Sequence, residues 1–405
     1  MTSHLPTKEH LRGLTDAIHS ARPISIGLRR TASPHEFYRY PGRFSPDFAR
    51  SAIEAFSEPG DLVLDPFVGG GTTAVEAALA GRRALVADIN PLATFVTQVK
   101  TTPLTTSQIE HIRRWLETIP TRARINQRAP SYDTWRSAGY LRHLESRDTW
   151  RISKLIRSTL GSLPSNDGVV ERFCRCIILR TGQWALDMRH NLPTVGEFRD
   201  ALSAHGAGML RAACQFSSNF PGQHRRQPIV IDAALPGLSE HPHTRRLGSP
   251  KLVVTSPPYP GVYALYHRWK VYGRKETPAP YWIADRNNSH GLSHYTMSAR
   301  ATRNLDVYFD KIHASYSDLA RISSSDTILV QMVGFNSPQE HLPRFLEAMA
   351  ASGFSEFRLP PSLVSTPDRR PWRAVPGRRW WTQAHSRKSV TAETSREVVL
   401  FHRRA

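Results

Sequence analysis

The stretch Asp61-Leu-Val-Leu-Asp-Pro-Phe-Val-Gly-Gly-Gly-Thr-Thr73 decides the fold that this sequence predicts. Its apolar first half is typical of a buried strand, and the three glycines that follow predict a tight loop. Residues 74–80 then favour a helix that Gly81 ends, and 83–88 indicates a second strand. In open α/β sheets, a strand, a glycine loop, a helix and a strand ending in an acid form a unit that binds adenosine-type cofactors.

The alternation of strands and helices resumes later in the chain. The predicted strands are 229–233, 251–255 and 327–333, and the predicted helices are 303–322 and 338–352. This alternation favours an α/β fold with a mostly parallel sheet that helices cover on both faces. Two final apolar runs, Phe354–Leu359 and Glu397–His402, are expected to form a terminal antiparallel pair.

A second informative stretch is Lys251-Leu-Val-Val-Thr-Ser-Pro-Pro-Tyr-Pro-Gly261. Its apolar run predicts a strand that stops at Ser256, because the two prolines that follow cannot donate to a sheet ladder. The resulting turn presents one hydroxyl, rigid backbone carbonyls and the ring of Tyr259. Ligands bind at the carboxyl ends of strands in open α/β sheets, so we expect catalysis at this turn.

The region between these two stretches differs in pattern, and it suggests how the chain is divided. Residues 104–224 lack strand character, and their apolar residues recur at helical spacing. We expect an N-terminal arm and cofactor-binding half at 1–103, a helical insertion at 104–224 with a possible role in target recognition, and a catalytic half at 225–405. Residues 1–35 are expected to be polar and irregular. The basic, tryptophan-rich loop 360–396 suits either nucleic-acid contact or a lid packed on the core.

The composition indicates the kind of partner and compartment. Lysine and arginine number 54 against 34 acidic residues, and the net charge of +20 favours a polyanion as partner. The three cysteines, Cys174, Cys176 and Cys214, are too few for a disulfide framework and lack partners at zinc spacing. We therefore expect no metal site. No apolar run has the form of a signal peptide or membrane span, so we expect a cytoplasmic protein with no membrane partner.

Three motifs together point to a known family. Asp65–Thr73 resembles the DPFxGxGT-type cofactor motif of amino-group DNA methyltransferases. Thr255-Ser-Pro-Pro-Tyr259 resembles their catalytic motif in the SPPY form that is typical of cytosine-N4 enzymes, and Tyr40–Pro46 is similar to their arm motif. The resemblance implies a Rossmann-like, seven-stranded S-adenosylmethionine-dependent methyltransferase sheet whose last strand is antiparallel. Here that sheet would carry a helical insertion.

The resemblance also implies S-adenosylmethionine as the cofactor. The residues expected around its methionine end are Asp65, Phe67, Gly69, Gly71 and Thr72, with Phe44 closing over it. Asp88 would hold the ribose hydroxyls, and it lies near the spacing from the glycine loop at which an acid grips a ribose. Asp232 would lie near the adenine.

The catalytic residues implied by the SPPY motif are Ser256, Pro257, Pro258 and Tyr259. The Ser256 hydroxyl and the Pro257 carbonyl could each accept one hydrogen of a cytosine amino group, which localises the nitrogen lone pair. Both prolines stiffen the turn, and Tyr259 would stack on a base flipped out of duplex DNA at a cost of roughly a few kcal/mol. Cytosine-C5 methylation is disfavoured, because none of the three cysteines follows a proline.

Several alternatives stay open. Adenine-N6 DNA methylation and RNA base methylation use related chemistry, and a non-catalytic nucleic-acid-binding module is the alternative of another class. Family habit suggests a restriction–modification or self-marking role, with a cognate restriction endonuclease as a possible partner. The segment that reads the DNA could be the insertion or the aromatic tract 263–282.

Overall fold

The computed structural model describes residues 6–20, 33–123, 132–164, 166–219, 227–233, 235–260, 268–273, 275–288, 295, 297, 305–374 and 396–405. The strands are β1 (Leu62–Asp65), β2 (Arg83–Asp88), β3 (Ile229–Asp232), β4 (Leu252–Thr255), β5 (Trp269–Val271), β6 (Lys275–Thr277), β7 (Ile328–Gly334), β8 (Phe354–Phe357), β9 (Trp372–Ala374) and β10 (Arg396–Arg404). The helices are α1 (Lys8–His19), α2 (Pro46–Phe56), α3 (Thr72–Leu79), α4 (Pro91–Thr101), α5 (Thr106–Arg122), α6 (Tyr132–Ser137), α7 (Trp150–Leu160), α8 (Gly168–Leu186), α9 (Val195–Ser218), α10 (Pro242–Leu247), α11 (Ala279–Ala284), α12 (Leu305–Ile322) and α13 (Pro338–Ala351).

One large sheet organises the fold, with strand order β3-β2-β1-β4-β7-β10-β8. Strands β3, β2, β1, β4 and β7 pair in parallel, whereas β10 pairs antiparallel with both β7 and β8. The chain is therefore Rossmann-like, and the predicted mostly parallel sheet with an antiparallel last strand is confirmed. A short eighth strand, β9, adds to β10 outside this order, and β5 and β6 form a separate hairpin.

The order of the strands creates a crevice beside β1. The chain leaves β1 toward β2 on one side, and β4 later pairs with the other side of β1, with Val63 opposite Leu252. Ligands in open α/β sheets bind at such a switch point, outside the carboxyl ends of the strands. The glycine loop after β1 and the Ser256 turn after β4 both lie at this edge.

Both faces of the sheet are covered, which explains why its central strands are apolar throughout. Leu62 and Leu64 pack in a cluster with α12 and α13, whereas Val63 between them packs in a cluster with α1 and α2. Alternate residues of a strand point to opposite faces, so burial on both faces requires a continuous apolar run.

The insertion contributes a helical core of its own beside the sheet. Among the described residues of 104–224 every element is helical, as predicted, and the helices are α5 to α9. Their apolar residues form one cluster with α4 and with Phe37 and Tyr38 of the arm. The Gln183 amide on α8 also accepts the Arg39 N–H and donates to the Arg39 carbonyl, both at 3.0 Å. The insertion is thus fastened to the arm.

Two expectations about irregular segments were wrong. Residues 1–35 were expected to be irregular, but α1 forms there and buries Leu11, Leu14 and Ile18 against the cluster that contains α2. The loop 360–396 contains strand β9, because three of its residues pair with β10. Its segment 375–395, with the four residues Arg378, Arg379, Trp380 and Trp381, lies outside the described residues.

The aromatic tract that follows Tyr259 is divided between described and undescribed residues. Trp269, Tyr281 and Trp282 are buried in the core shared with the insertion, so these rings do not present a surface to DNA. Tyr263, Tyr266 and Arg274 lie outside the described residues. Of the helices described, none combines the length and apolar character needed to cross a membrane.

Candidate active site

A cavity of about 230 Å³ opens at the carboxyl edge of the sheet. The glycine loop, the end of β2, the turn after β4 and the arm enclose it. Among the predicted site residues, those that line it are Phe44, Phe67, Gly69, Thr72, Asp88, Ser256, Pro257, Pro258 and Tyr259. The fold therefore brings together two motifs that are far apart in the chain. Asp65, Gly71 and Asp232 are not part of the lining.

Asp65 lies behind the wall of the cavity, where it connects β1 to β4. Its buried carboxylate accepts hydrogen bonds from the hydroxyls of Thr73 and Thr255, each at 2.7 Å, and from the Phe67 N–H at 3.1 Å. Burial raises the pKa of Asp65 to about 6, although these hydrogen bonds oppose the shift. Asp65 thus connects the carboxyl ends of β1 and β4 through hydrogen bonds.

The glycine loop faces the cavity on one side and packs closely against the arm and α4 on the other. Gly71 has a φ of +80°, and a Cβ there would lie 2.7 Å from the Thr97 hydroxyl on α4. A Cβ on Gly70 would lie 3.0 Å from the Cβ of Tyr40. These glycines therefore let the arm and α4 approach the loop, a function that sequence reasoning did not assign to them.

Asp88 ends β2 and faces the cavity. One carboxylate oxygen accepts the Gly69 N–H at 2.8 Å and the other accepts the Asn90 N–H at 2.9 Å. Burial raises the pKa of Asp88 to about 7, and the carboxylates of Asp65 and Asp232 add to the shift. A carboxylate oxygen can accept about two hydrogen bonds, so each oxygen retains capacity for a ligand hydroxyl.

Asn90 is a residue of this site that sequence reasoning missed. Its side-chain amide donates to the Tyr40 hydroxyl at 2.9 Å and accepts the Tyr281 hydroxyl at 2.8 Å. It thereby joins the arm, the end of β2 and helix α11. The available signal was the pair Asn90-Pro91 two residues after Asp88, which marks the cap and first residue of a helix.

Hydrogen bonds to neighbouring strands and helices hold most of the polar atoms of the turn after β4. The Ser256 hydroxyl lies 3.0 Å from the Met332 carbonyl and 3.1 Å from the Tyr259 hydroxyl. The Tyr308 hydroxyl donates to the Pro258 carbonyl at 2.7 Å. Within the described part of the chain, no donor lies within hydrogen-bonding distance of the Pro257 carbonyl. That carbonyl and the Ser256 oxygen are the acceptors available at this wall of the cavity.

Asp232 ends β3 directly beside Asp88, its register partner, and accepts a hydrogen bond from the Thr94 hydroxyl. The residues that follow it, Leu235 and Pro236, line the cavity although Asp232 does not. Three further lining residues, Tyr295, Met297 and Lys311, were not expected from the sequence.

Residues 23–96 match the family model of N6 and N4 methyltransferases, described as DNA methylase. The matched segment contains the arm, the glycine loop and Asp88, which form one side of the cavity. Over this segment the chain is similar to the amino-group DNA methyltransferases.

Curated proteins are similar to this chain over short segments. Type II methyltransferase M.BsoBI of Geobacillus stearothermophilus is 36% identical over 70 residues, which are 17% of this chain and 14% of that protein. Type II methyltransferase M.MjaII of Methanocaldococcus jannaschii is 32% identical over 71 residues, which are 18% of this chain and 13% of that protein. The match thus spans less than a fifth of the length of these relatives.

One solved structure aligns with most of this chain, but at low similarity. The rRNA methyltransferase aviRa from Streptomyces viridochromogenes has a TM-score of 0.30 and 10% identity, over 92% of this chain and 93% of that one. A score this low carries no argument about fold or substrate.

Proposed function

We propose that this protein is a DNA methyltransferase that transfers a methyl group from S-adenosylmethionine to the N4 amino group of cytosine. The observation that carries the proposal is one cavity lined by Asp88, by the glycine loop and by the acceptors of Ser256 and Pro257. Such a cavity could hold a cofactor and a target amino group side by side.

The lining fits S-adenosylmethionine by its chemistry. Asp88 offers carboxylate oxygens for the two ribose hydroxyls, and Leu235 and Pro236 offer apolar surface for a flat base. The rings of Phe44 and Phe67 would flank the methionine end, near Gly69 and Thr72. When bound, S-adenosylmethionine supplies an electrophilic methyl group. Asp65 and Gly71 would act indirectly, by holding the walls, and Asp232 would lie near the adenine.

Ser256 and Pro257 would activate the target amino group. The lone pair of an exocyclic amino nitrogen is delocalised into the base, which makes that nitrogen a poor nucleophile. Two acceptors that each bind one amino hydrogen favour a pyramidal nitrogen with a localised lone pair. The Ser256 oxygen has neighbouring acceptors for its own hydrogen, so it can accept at the cavity. Prolines hold the Pro257 carbonyl rigidly, so little reorganisation is needed.

Two further observations support an amino group as the target. The thiols of Cys174 and Cys176 are buried in the insertion core, and neither residue lines the cavity. Burial raises the pKa of Cys176 to about 12, which opposes formation of the thiolate that cytosine-C5 methylation requires. Serine at the first position of the SPPY motif favours cytosine over adenine.

DNA is the proposed partner, because the charge of +20 favours a polyanion. The insertion offers one candidate contact surface around α7. Arg147, Arg151 and Lys154 are exposed there, and no acid of the described residues forms an ion pair with them. The last two lie near the Trp150 ring, with the Arg151 guanidinium 5.6 Å and the Lys154 ammonium 4.8 Å from its centroid. A base would have to leave the duplex to reach Ser256, and the names of the relatives suggest a restriction–modification role.

The base assignment can be tested by product analysis. The full-length protein is incubated with unmethylated plasmid DNA and radiolabelled S-adenosylmethionine, and the DNA is then digested to nucleosides. We expect label in N4-methylcytosine. Label in N6-methyladenine would overturn the choice of base, and label only in an RNA substrate offered in parallel would overturn the choice of nucleic acid. The absence of label from all substrates, together with no measurable cofactor binding, would favour a non-catalytic binding module.

A further inference from the structure

A chain of hydrogen bonds leads from the catalytic turn to a buried ion pair that does not line the cavity. The Ser256 and Tyr259 hydroxyl oxygens are 3.1 Å apart, and the Tyr259 hydroxyl donates to Glu397 at 3.0 Å. Arg373 donates to the other oxygen of Glu397 through Nε and Nη2, at 2.7 and 2.6 Å. Glu397 on β10 and Arg373 on β9 are register partners, and each side chain is only 9% exposed.

Counting hydrogens determines the direction of these bonds. A carboxylate paired with a guanidinium accepts hydrogen bonds and donates none, so the hydrogen between Tyr259 and Glu397 comes from the tyrosine. The Tyr259 oxygen is then an acceptor toward Ser256. The Ser256 hydrogen therefore points to Tyr259 or to the Met332 carbonyl, and both are protein atoms. In either case the Ser256 oxygen keeps a lone pair for a donor in the cavity.

We propose that Glu397 and Arg373 are positioning residues for methyl transfer, which act through Tyr259 to keep the Ser256 oxygen an acceptor. This inference rests on the proposed transfer to an amino group, which requires that acceptor. Burial and the Glu397 carboxylate also hold the pKa of Tyr259 well above its usual range, so the phenol keeps its hydrogen.

A purely structural role would explain the buried Glu397–Arg373 pair less well. Removing two charges from water is costly, and an apolar pair often joins two strands equally well. The Glu397–Arg373 pair also touches a residue of the cavity wall, since Tyr259 both lines the cavity and donates to Glu397. The pair thus sets a bond direction in addition to connecting β9 to β10.

The substitution Glu397→Gln tests the direction of the bonds with little change of shape. The glutamine oxygen would remain with Arg373, which only donates, and the amide N–H would then face Tyr259. The tyrosine would have to accept from that amide and donate its own hydrogen to Ser256. One lone pair of the Ser256 oxygen would be occupied, and the acceptor for the amino group would be weakened.

The readout is the single-turnover rate of methyl transfer, measured beside the dissociation constants for S-adenosylmethionine and DNA. We expect Glu397→Gln to slow transfer roughly tenfold, the effect of about one hydrogen bond, with both dissociation constants within about twofold of wild type. In a Tyr259→Phe background, Glu397→Gln should have little further effect, because the hydroxyl through which it acts is absent. Glu356→Gln on β8 is the matched control, because it alters a comparable ion pair, with Arg370, and no hydrogen bond among the described residues joins that pair to Tyr259.

Each outcome of these assays either supports or contradicts the role of Glu397 and Arg373. An unchanged transfer rate in Glu397→Gln, or losses from Glu397→Gln and Tyr259→Phe that simply add, would overturn the inference. If Glu397→Gln did not fold, the paired replacement Glu397→Leu and Arg373→Leu leaves no unpaired charge and should slow transfer at unchanged cofactor affinity, because Tyr259 loses Glu397 as its acceptor and turns its hydrogen to Ser256. A wild-type rate in that variant would count against the proposal. An inactive wild-type protein would instead contradict the proposed function itself.

Discussion

The Asp65 carboxylate accepts a hydrogen bond from the Thr255 hydroxyl at 2.7 Å, across a separation of 190 residues in the chain. Asp65 ends β1 just before the glycine loop, and Thr255 ends β4 just before Ser256. A second bond, from Thr73 at the start of α3, reaches the other oxygen of the same carboxylate. One buried acid therefore sets the distance between the proposed cofactor site and the proposed catalytic turn.

Asp65→Asn should change how stability depends on pH. Burial raises the pKa of Asp65 from 3.8 to about 6, so the folded state binds its proton more tightly than the unfolded state does. The free energy of unfolding of the wild type should therefore fall as pH rises from about 4 to 6, by roughly 2–3 kcal/mol from this group. The asparagine variant lacks this contribution. Denaturant unfolding of both proteins from pH 4 to 8 would test it, and parallel curves would contradict it.

Asp88→Asn should weaken cofactor binding and remove part of its pH dependence. The ionised carboxylate is the better acceptor for ribose hydroxyls, and burial raises the pKa of Asp88 to about 7. The affinity of the wild type for S-adenosylmethionine should therefore decrease as pH is lowered from 8 to 6. Isothermal titration calorimetry should show roughly tenfold weaker binding by the variant at pH 8, with little change at lower pH. Equal affinities of the wild type and the variant at pH 8 would show that Asp88 does not bind the cofactor.

Ser256→Ala should abolish most methyl transfer and leave cofactor affinity nearly intact. The substitution removes one of two proposed acceptors for the amino hydrogens, and loss of one such group costs about 10²–10³-fold in comparable sites. Single-turnover assays and calorimetry on the same preparation would separate the two effects. Retention of full activity would show that the assigned mechanism is wrong.

Replacing Arg147, Arg151 and Lys154 with glutamine should weaken DNA binding and reduce its dependence on salt. Each phosphate contact that is lost should lower the slope of log K against log salt by about 0.9. The matched control is the double variant Arg113→Gln and Arg114→Gln on α5, because both arginines are exposed but already lie near Glu110. Fluorescence anisotropy at several salt concentrations would measure both. If the control weakened binding as much per charge as the α7 variant, α7 would not be a specific contact surface.

Much of the fold could be predicted because its signals are local. The apolar runs of β1, β2 and β4, the glycines after β1 and the prolines after β4 each act within a few residues. Helix α1 was missed, although Leu11, Leu14 and Ile18 have helical spacing, because the surrounding residues are polar. The tryptophans Trp269 and Trp282 were candidates for DNA contact, yet they are buried, since aromatic residues suit a core as well as a binding surface.

The sequence by itself determined the strand–loop–helix unit at 61–88, the proline turn at 256–259 and the positive charge. These features depend on backbone conformation and composition, which neighbouring residues decide. Only the tertiary structure decided that Asp65 faces Thr255, that Asn90 joins Tyr40 to Tyr281, and that Glu397 reaches Tyr259. The last of these pairs is 138 residues apart, and its members meet because β10 returns antiparallel beside β7. Strand order depends on long-range packing, so no local pattern could have named these partners.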